Sequence, residues 1–316
     1  MRRLSLLLLT SLVLAALPAD PSLAGADPRP HEQRGDLAAA TTCPSRVELR
    51  AADDVVLLVH GTGERSDESW SWSYEPALAA EGIATCSVQL PDTGLGPLAP
   101  AARVVRAAVR VTARLADHPI GVVGHSQGGF LAVWVTTFWP RLAPLVTDAI
   151  SLGGSFGGTA LADELCTAGR CAPLAWQLRQ GSDHVAALVD AFRPGRVPVT
   201  SIATRYDEIV RPQPEASLLP GATNVLLQDV CAQDPSEHAM LLGDPVAFDL
   251  VLDALRHPGP ADVARLPAET CSQAFIRGGD PAGAPVLVQG VARFFTGLAD
   301  PRRWVDAEPP LPRYAR

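Results

Sequence analysis

Residues 124–128 read GHSQG, a G-x-S-x-G motif whose central residue, Ser126, is of a type that can act as a nucleophile. A short apolar run, residues 120–123, precedes the motif, and a long apolar run, residues 130–139, follows it. This order predicts a sharp turn from a buried strand into a helix, with glycines where the two backbones pass closely. Such a turn lifts the serine hydroxyl out of the sheet, and the helix N-terminus offers N–H donors to developing negative charge.

A serine hydroxyl becomes a good nucleophile when a neutral imidazole takes its proton and a carboxylate orients that imidazole. For a serine on this kind of turn, the acid and then the histidine follow later in the chain. Three histidines follow the serine: His184, His238 and His257. His184 precedes the strand expected to carry the acid, and His257 ends a helix pattern, so both are assigned core or surface roles. His238 lies just after the last predicted strand, residues 224–230, and is the predicted base.

The acid is expected a few residues beyond the end of a later strand. Asp207 meets this condition because it follows the predicted strand at residues 197–203. Glu208 is the neighbouring rival, and Asp229 and Asp234 lie nearer to the histidine in sequence. Asp207 is therefore the predicted acid, and Asp234 is the next choice.

Attack of a serine on an ester carbonyl creates an oxyanion, which needs donors fixed in advance. One predicted donor is the backbone N–H of Gln127, directly after the nucleophile. The second is Thr62, in the loop after the first buried strand, through its backbone N–H and with its hydroxyl as a further donor. His60 in the same loop is assigned a structural or oxyanion-loop role. His125 is expected to point into the packing of the turn and not at the substrate.

The elements that must position these residues alternate along the chain. Predicted strands cover residues 55–59, 84–90, 120–124, 149–152, 197–203 and 224–230, and predicted helices lie near 73–81, 98–116, 127–139 and 244–257. This alternation favours an α/β fold, a mostly parallel sheet with helices on both faces. Residues 153–196 break the pattern with Gly-Gly pairs and scattered leucines. They are predicted to form a cap-like insertion facing the substrate, with a packed surface excursion as the alternative.

The start of the chain has the features of a secretory signal peptide over residues 1–26. Arg2 and Arg3 precede an apolar segment that is too short to span a bilayer, and small residues follow at 24–26. Residues 27–42 are predicted to be an N-terminal tail and residues 43–316 a single domain. The proline-rich stretch 308–313 is predicted to be a second tail. The predicted location is extracellular.

The composition indicates which partners are not expected and which covalent bonds stabilise the fold. All 26 basic residues are arginine and the formal charge is −8, so neither nucleic acid nor an anionic membrane surface is expected as the main partner. Six cysteines in a secreted chain favour three disulfides, with some buried free thiols as the alternative. Cys166 and Cys171 are close enough in sequence to close a small loop. The cysteines and histidines do not have metal-ligand spacing, so no metal site is expected.

Several segments together resemble the family of Candida antarctica lipase B and its bacterial relatives. They are residues 57–63, 126–129, 134–140 and 204–213, with Cys231 and His238 at similar spacing. The resemblance implies an α/β-hydrolase fold and the hydrolysis or transfer of carboxylic esters, with no cofactor. It places Ser126, Asp207 and His238 on the catalytic triad, and Thr62 and Gln127 on the oxyanion hole.

The same resemblance implies a pairing for four of the cysteines, and two residues at the turn differ from those of the yeast enzyme. It implies the disulfides Cys43–Cys86 and Cys231–Cys271, whereas the pair Cys166–Cys171 has no counterpart in the yeast enzyme. His125 and Gly124 stand where that enzyme has Trp and Thr.

These observations predict a secreted serine carboxylic-ester hydrolase, a lipase or esterase, that acts through an acyl-enzyme on lipid-like esters. Acyl chains are expected to lie among the apolar residues of the helix after Ser126 and of the insertion 153–196. Alternatives with the same residues are an acyltransferase and a polyester-degrading hydrolase, and a non-catalytic hydrolase-fold binding protein is the alternative from another class. The expected partners are a small-molecule or lipid ester and a transient lipid interface, and the chain is expected to be a monomer. Activity is expected to fall below about pH 6.5, because His238 must be neutral.

Overall fold

The computed structural model describes residues 39–316. The predicted signal peptide, residues 1–26, and most of the predicted tail, residues 27–42, lie outside the described residues.

The described residues contain one seven-stranded sheet. Its strands are β1 (Thr41–Thr42), β2 (Val55–Val59), β3 (Ala84–Val88), β4 (Ile120–His125), β5 (Val146–Leu152), β6 (Val199–Ala203) and β7 (Thr223–Leu226). Their order across the sheet is β1-β3-β2-β4-β5-β6-β7, and all neighbours are parallel except the edge pair β1 and β3. The sheet begins two residues before the predicted start of the domain at residue 43.

Eleven α-helices accompany the sheet in residues 39–316. They are α1 (Arg46–Ala51), α2 (Ser66–Trp70), α3 (Tyr74–Ala80), α4 (Leu98–Ala116), α5 (Gln127–Phe138), α6 (Ala160–Leu165), α7 (Pro173–Leu178), α8 (Asp183–Ala191), α9 (Leu227–Val230), α10 (Pro245–Arg256) and α11 (Leu287–Leu298). Short 3-10 helices lie at Pro91–Gly94, Pro140–Leu145, Ala239–Leu242, Val263–Arg265, Thr270–Ser272, Pro281–Val286, Pro301–Arg303 and Arg313–Ala315.

The central strands are buried on both faces, as their continuous apolar sequences require. In β2, Val55, Leu57 and Val59 pack into the core that contains α4 and α5, whereas Val56 and Leu58 pack into the core that contains α3 and α10. Side chains alternate between the two faces along a strand, so one run of valine and leucine serves both cores. The predicted α/β fold with a mostly parallel sheet is confirmed.

The last strand is shorter than predicted. β7 ends at Leu226, and residues 227–230 form α9 in place of a longer strand. An apolar run of this length does not distinguish a strand from a helix. Within this turn, the side chain of Gln228 accepts a hydrogen bond from the Arg205 backbone N–H at 2.7 Å and donates one to Thr204 Oγ1 at 2.9 Å.

The prediction that residues 308–313 form a tail is wrong. Glu308 accepts a hydrogen bond from His184 Nδ1 at 2.6 Å, and the Tyr314 ring lies 4.2 Å from the ring of Trp139. Proline-rich composition predicts an absence of regular structure, but these specific contacts hold the segment on the surface of the domain.

Three disulfides join the described cysteines: Cys43–Cys86, Cys166–Cys171 and Cys231–Cys271. The first links the segment after β1 to β3, the second lies within the insertion, and the third follows α9. Among residues 39–316, no helix is both long enough and apolar enough to cross a membrane.

Candidate active site

Ser126 lies at a sharp turn between β4 and α5. Its φ and ψ are 54° and −121°, a conformation that L-residues rarely adopt and that costs on the order of 1–3 kcal/mol. The Ser126 backbone N–H donates to the Leu152 carbonyl at 2.7 Å, which ties the turn to β5. The surrounding structure therefore maintains a strained backbone at the residue predicted to be the nucleophile.

The glycines of the motif are required by close packing. A Cβ atom on Gly124 would lie 2.2 Å from the Gly128 carbonyl, and one on Gly128 would lie 2.0 Å from the Val59 carbonyl oxygen. Both contacts are with backbone atoms, which cannot rotate away. The helix can therefore approach the strands closely only if both positions lack side chains.

Asp207 and His238 form a buried pair. His238 Nδ1 donates to Asp207 Oδ2 at 2.7 Å, and the other carboxylate oxygen accepts from the backbone N–H groups of Ile209 and Val210 at 3.0 and 2.6 Å. Burial favours the neutral imidazole, but the Asp207 carboxylate outweighs this effect, so the pKa of His238 is raised above its ordinary value of 6.5.

The rival acids do not contact the His238 ring through hydrogen bonds. Glu208 is exposed, and its carboxylate accepts from the His238 backbone N–H at 3.3 Å. Asp229 pairs with Arg205, and Asp234 accepts from the backbone N–H of Ser236. Of the four acids considered from sequence, the structure brings Asp207 to the imidazole.

Ser126 and His238 line the same cavity. Within the described residues, no hydrogen bond joins the serine hydroxyl to the His238 ring. Catalytic hydrogen bonds are often long in the absence of substrate and shorten when substrate binds.

Thr62 and Gln127, the predicted oxyanion donors, are in contact with each other. Thr62 Oγ1 donates to Gln127 Oε1 at 3.1 Å, so in this structure the hydroxyl is not available as the further donor expected from sequence. The Gln127 backbone N–H is in the first turn of α5, where no helix carbonyl can accept it. Both residues line a second cavity beside Ser126.

That second cavity has mainly apolar walls. The insertion supplies six of its apolar side chains: Leu161, Ala162, Leu165, Leu174, Ala175 and Leu178. The position of these residues beside Ser126 agrees with a substrate-facing insertion.

One expectation about the cavity is wrong. The apolar residues of α5 do not line it, since Phe130 to Val135 are buried in the core and only Gln127 of that helix reaches the wall. A helix packed between the sheet and other helices has no free apolar face to offer a substrate.

The sequence reasoning missed α11, which lies across the site. Phe294 lines both cavities, Leu298 lines the apolar one, and Val291 and Phe295 line the one that contains His238. Apolar residues at positions 287, 288, 291, 294, 295 and 298 recur at helical spacing and could have revealed this helix. Ile209 and Val210, two and three residues after Asp207, also line the apolar cavity, and the sequence did not predict this role for them.

The remaining histidines have structural contacts. His60 Nε2 accepts from the Leu90 backbone N–H at 2.9 Å, and His184 is buried beside Trp134 and Glu308. His257 is the C-cap residue of α10 and is exposed. His125 is buried, and its ring hydrogen-bonds to Glu64 and to the backbone of His238. Within residues 39–316, no group of three His, Cys, Asp or Glu side chains is arranged to hold a metal ion.

The parallel sheet and the turn that carries Ser126 between β4 and α5 are those of an α/β-hydrolase fold. The chain is similar to lipase B of Pseudozyma antarctica, with 28% identity over 96% of this chain and 91% of that protein. It is similar in structure to Aspergillus fumigatus lipase B, with a TM-score of 0.79, 24% identity, and coverage of 89% of this chain and 71% of that one.

A Bacillus licheniformis lipase in its propeptide form matches more weakly, with a TM-score of 0.54, 14% identity, and coverage of 70% of this chain and 54% of that one. No family model matches the chain. The resemblance to lipase B inferred from the sequence motifs is confirmed.

Proposed function

We propose that this protein is a serine carboxylic-ester hydrolase, a lipase or esterase, that acts through an acyl-enzyme on lipid-like esters. The observation that carries the proposal is the buried Asp207–His238 pair, with a 2.7 Å hydrogen bond, in the cavity that also contains Ser126. The similarity to a protein named lipase B supports the same class of substrate.

In the first half-reaction, His238 Nε2 takes the proton of the Ser126 hydroxyl as the oxygen attacks the ester carbonyl. The carbonyl π electrons move to its oxygen, and the backbone N–H groups of Thr62 and Gln127 bind the resulting oxyanion. The tetrahedral intermediate then collapses. The bond to the alcohol breaks, His238 returns its proton to the leaving oxygen, and the acyl group remains on Ser126.

In the second half-reaction, water replaces the alcohol. His238 takes a proton from that water as it attacks the acyl carbonyl, and the acid is released when the Ser126 oxygen regains the proton. Asp207 stays ionised throughout, holding the ring by Nδ1 and stabilising the imidazolium that forms.

The apolar cavity is the proposed site of the acyl chain. Its walls carry five leucine side chains, so an alkyl chain lying there is removed from water and packs against apolar groups. The cavity that contains His238 shares Thr62 and Ser126 with it and is the proposed exit for the alcohol.

The proposed location is outside the cell, and the proposed second partner is a lipid interface. Three disulfides are typical of proteins in oxidising compartments. On α11, Val288, Val291 and Phe295 are exposed at 68, 42 and 50%, and two of them also line the cavity with His238. An exposed apolar helix face beside the site opening fits contact with a lipid surface.

The catalytic proposal is tested with a series of esters from acetyl to palmitoyl. We expect the wild type to hydrolyse them and to be labelled by a fluorophosphonate, and Ser126→Ala to lose both properties. Ser71→Ala, at an exposed serine, is the control and should keep both. Turnover or labelling that survives in Ser126→Ala would contradict the proposal. Sustained activity on emulsified long-chain glycerides would indicate a lipase, and a maximum at short chains an esterase.

The interface proposal needs a separate comparison. Replacing Val288, which lines neither cavity, by serine should lower activity on emulsified glycerides by about twofold or more, while hydrolysis of a soluble short-chain ester stays unchanged. Equal losses on both substrates would argue that α11 shapes the site and does not contact an interface.

A further inference from the structure

A second acid–histidine pair lies beside the proposed catalytic one. Glu64 and His125 are both buried, and His125 Nδ1 donates to Glu64 Oε1 at 3.1 Å. The His125 ring lies 4.9 Å from the ring of His238. The steps proposed above use neither residue, and burying an ionisable pair is costly unless every polar atom is matched.

The pair connects three loops of the site. Glu64 Oε2 accepts from the backbone N–H of Gly61 at 3.0 Å, next to Thr62. His125 directly precedes Ser126 in the chain. At the other side of the ring, His125 Nε2 donates to the backbone carbonyl oxygen of His238 at 3.1 Å. One buried pair therefore links the segments that carry the oxyanion donor, the nucleophile and the base.

The polar atoms of the pair are matched by hydrogen bonds. Both ring nitrogens of His125 have a partner, Glu64 Oε1 at Nδ1 and the His238 carbonyl oxygen at Nε2. Burial alone would raise the pKa of Glu64, but His125 and the hydrogen bond from Ser69 outweigh it and lower that pKa to about 2. Glu64 is thus a buried carboxylate, and its second oxygen accepts from Ser69 Oγ and the Gly61 N–H.

His238 depends on side-chain contacts for its position. It lies in the irregular segment between α9 and the 3-10 helix Ala239–Leu242, so no strand or helix fixes its backbone. Asp207 holds its ring, the exposed Glu208 accepts from its N–H, and His125 holds its carbonyl. Of the two backbone contacts, the one with His125 is buried and the better protected from competition with water.

We propose that Glu64 and His125 are positioning residues, which hold His238 at the distance and orientation from Ser126 that proton transfer requires. They act through the hydrogen bond to the His238 carbonyl and need not contact the substrate. This inference rests on the proposed function, because it assigns a role within the same site.

The test compares His125→Phe with Glu64→Gln. Phenylalanine keeps an aromatic ring but cannot form either hydrogen bond, so we expect kcat to fall about 10- to 100-fold while KM stays within about twofold. In Glu64→Gln, a neutral His125 can donate from Nε2 to the His238 carbonyl and accept at Nδ1 from the amide. We therefore expect this variant to retain at least about one third of kcat.

A readout that does not need substrate accompanies the kinetics. In protein labelled with ¹⁵N-histidine, the Nδ1 proton that His238 shares with Asp207 should exchange with water faster in His125→Phe than in the wild type. The matched control is His184→Gln, which disrupts another buried histidine–glutamate pair away from both cavities. It should lower the melting temperature but leave kcat and the His238 proton unchanged.

Three results would overturn the inference: unchanged kcat and proton exchange in His125→Phe, a loss confined to KM, or an equal loss of kcat in Glu64→Gln. Failure of the proposed function itself would appear differently, as a folded wild type without Ser126-dependent turnover. The proton exchange would still decide whether His125 positions His238.

Discussion

At the scale of single residues, the site depends on how each titratable group is buried and what it faces. Asp207 uses one oxygen for two backbone N–H groups and the other for His238, which fixes the carboxylate and through it the imidazole. The same carboxylate raises the pKa of His238 above 6.5 despite burial. The sequence reasoning assumed an ordinary pKa, because the extent of burial and the distance to a carboxylate are tertiary properties.

The pH dependence of turnover follows from this environment. In the proposed mechanism neutral His238 is the active form, so its raised pKa should place the midpoint of the acid limb of kcat/KM above pH 6.5. Asp207→Asn removes the carboxylate that raises the pKa, which should move the limb to lower pH and reduce kcat by about 10³- to 10⁴-fold. Initial rates on a soluble ester from about pH 4 to about pH 9 measure both effects.

Glu208→Gln is the matched control for that experiment. Glu208 also raises the pKa of His238, so Glu208→Gln should likewise move the acid limb of kcat/KM to lower pH. Its kcat should stay within about tenfold of the wild type, because the hydrogen bond between Asp207 and the His238 ring persists. A wild-type midpoint below pH 6.5, or equal losses of kcat in the two variants, would contradict the assignment of roles.

At the scale of elements, two segments distant in sequence build the apolar cavity. Helices α6 and α7 of the insertion supply most of the apolar side chains of the wall, and α11 adds Phe294 and Leu298. The disulfide Cys166–Cys171 joins the end of α6 to the start of the segment that leads into α7. The insertion could be predicted from sequence because residues 153–196 interrupt the pattern of strands and helices. Helix α11 was not predicted, because it lies beyond residue 271, where the segments used for the resemblance end.

The depth of the cavity should set the acyl chain length. Ala162 is buried in its wall, so Ala162→Phe should fill part of it and lower the ratio of palmitoyl to acetyl ester hydrolysis by about tenfold or more, mainly by obstructing the longer chain. Parallel kcat/KM measurements on the two esters give this ratio.

Ala186→Phe offers the same substitution on the exposed face of α8 in the same insertion, and the ratio should stay unchanged there. An unchanged ratio in Ala162→Phe would place the acyl chain elsewhere.

At the scale of the whole molecule, the sheet is stabilised by a hydrophobic core on each face. It also contains one buried carboxyl group, whose ionised form is destabilised by burial. Asp148 of β5 is almost fully buried where the register between β4 and β5 shifts, and its Oδ1 has no hydrogen-bond partner in the described residues. Burial raises the pKa of Asp148 to about 7. The folded state therefore binds this proton more tightly than the unfolded chain, whose carboxyl has a pKa near 3.8.

Stability should consequently depend on pH through Asp148. Its contribution is fully present below about pH 3.8 and is lost as the pH rises through about 7. Asp148→Asn cannot ionise, so the drop in unfolding free energy between pH 5 and pH 8 should be smaller in this variant by on the order of 2 kcal/mol. Denaturant unfolding at the two pH values measures the difference.

Asp53→Asn, at an exposed aspartate, is the control and should follow the wild type. Asp244, another buried acid whose pKa is raised to about 7, leaves a residual pH dependence in every variant. If Asp148→Asn and the wild type lost equal stability between the two pH values, Asp148 would not be the group responsible.

The sequence by itself determined the existence of strands β2 to β7, the turn at Ser126 and the glycines on either side of it. These features depend on local patterns: apolar runs, helical spacing, and glycines at positions where a Cβ atom would collide with backbone. The tertiary structure alone decided that α11 lines the site and that Glu64 contacts His125. Glu64 and His125 are 61 positions apart, and Arg293 of α11 donates to the carbonyl of Gly63, 230 positions away. No local pattern specifies which distant side chains will meet once the sheet has assembled.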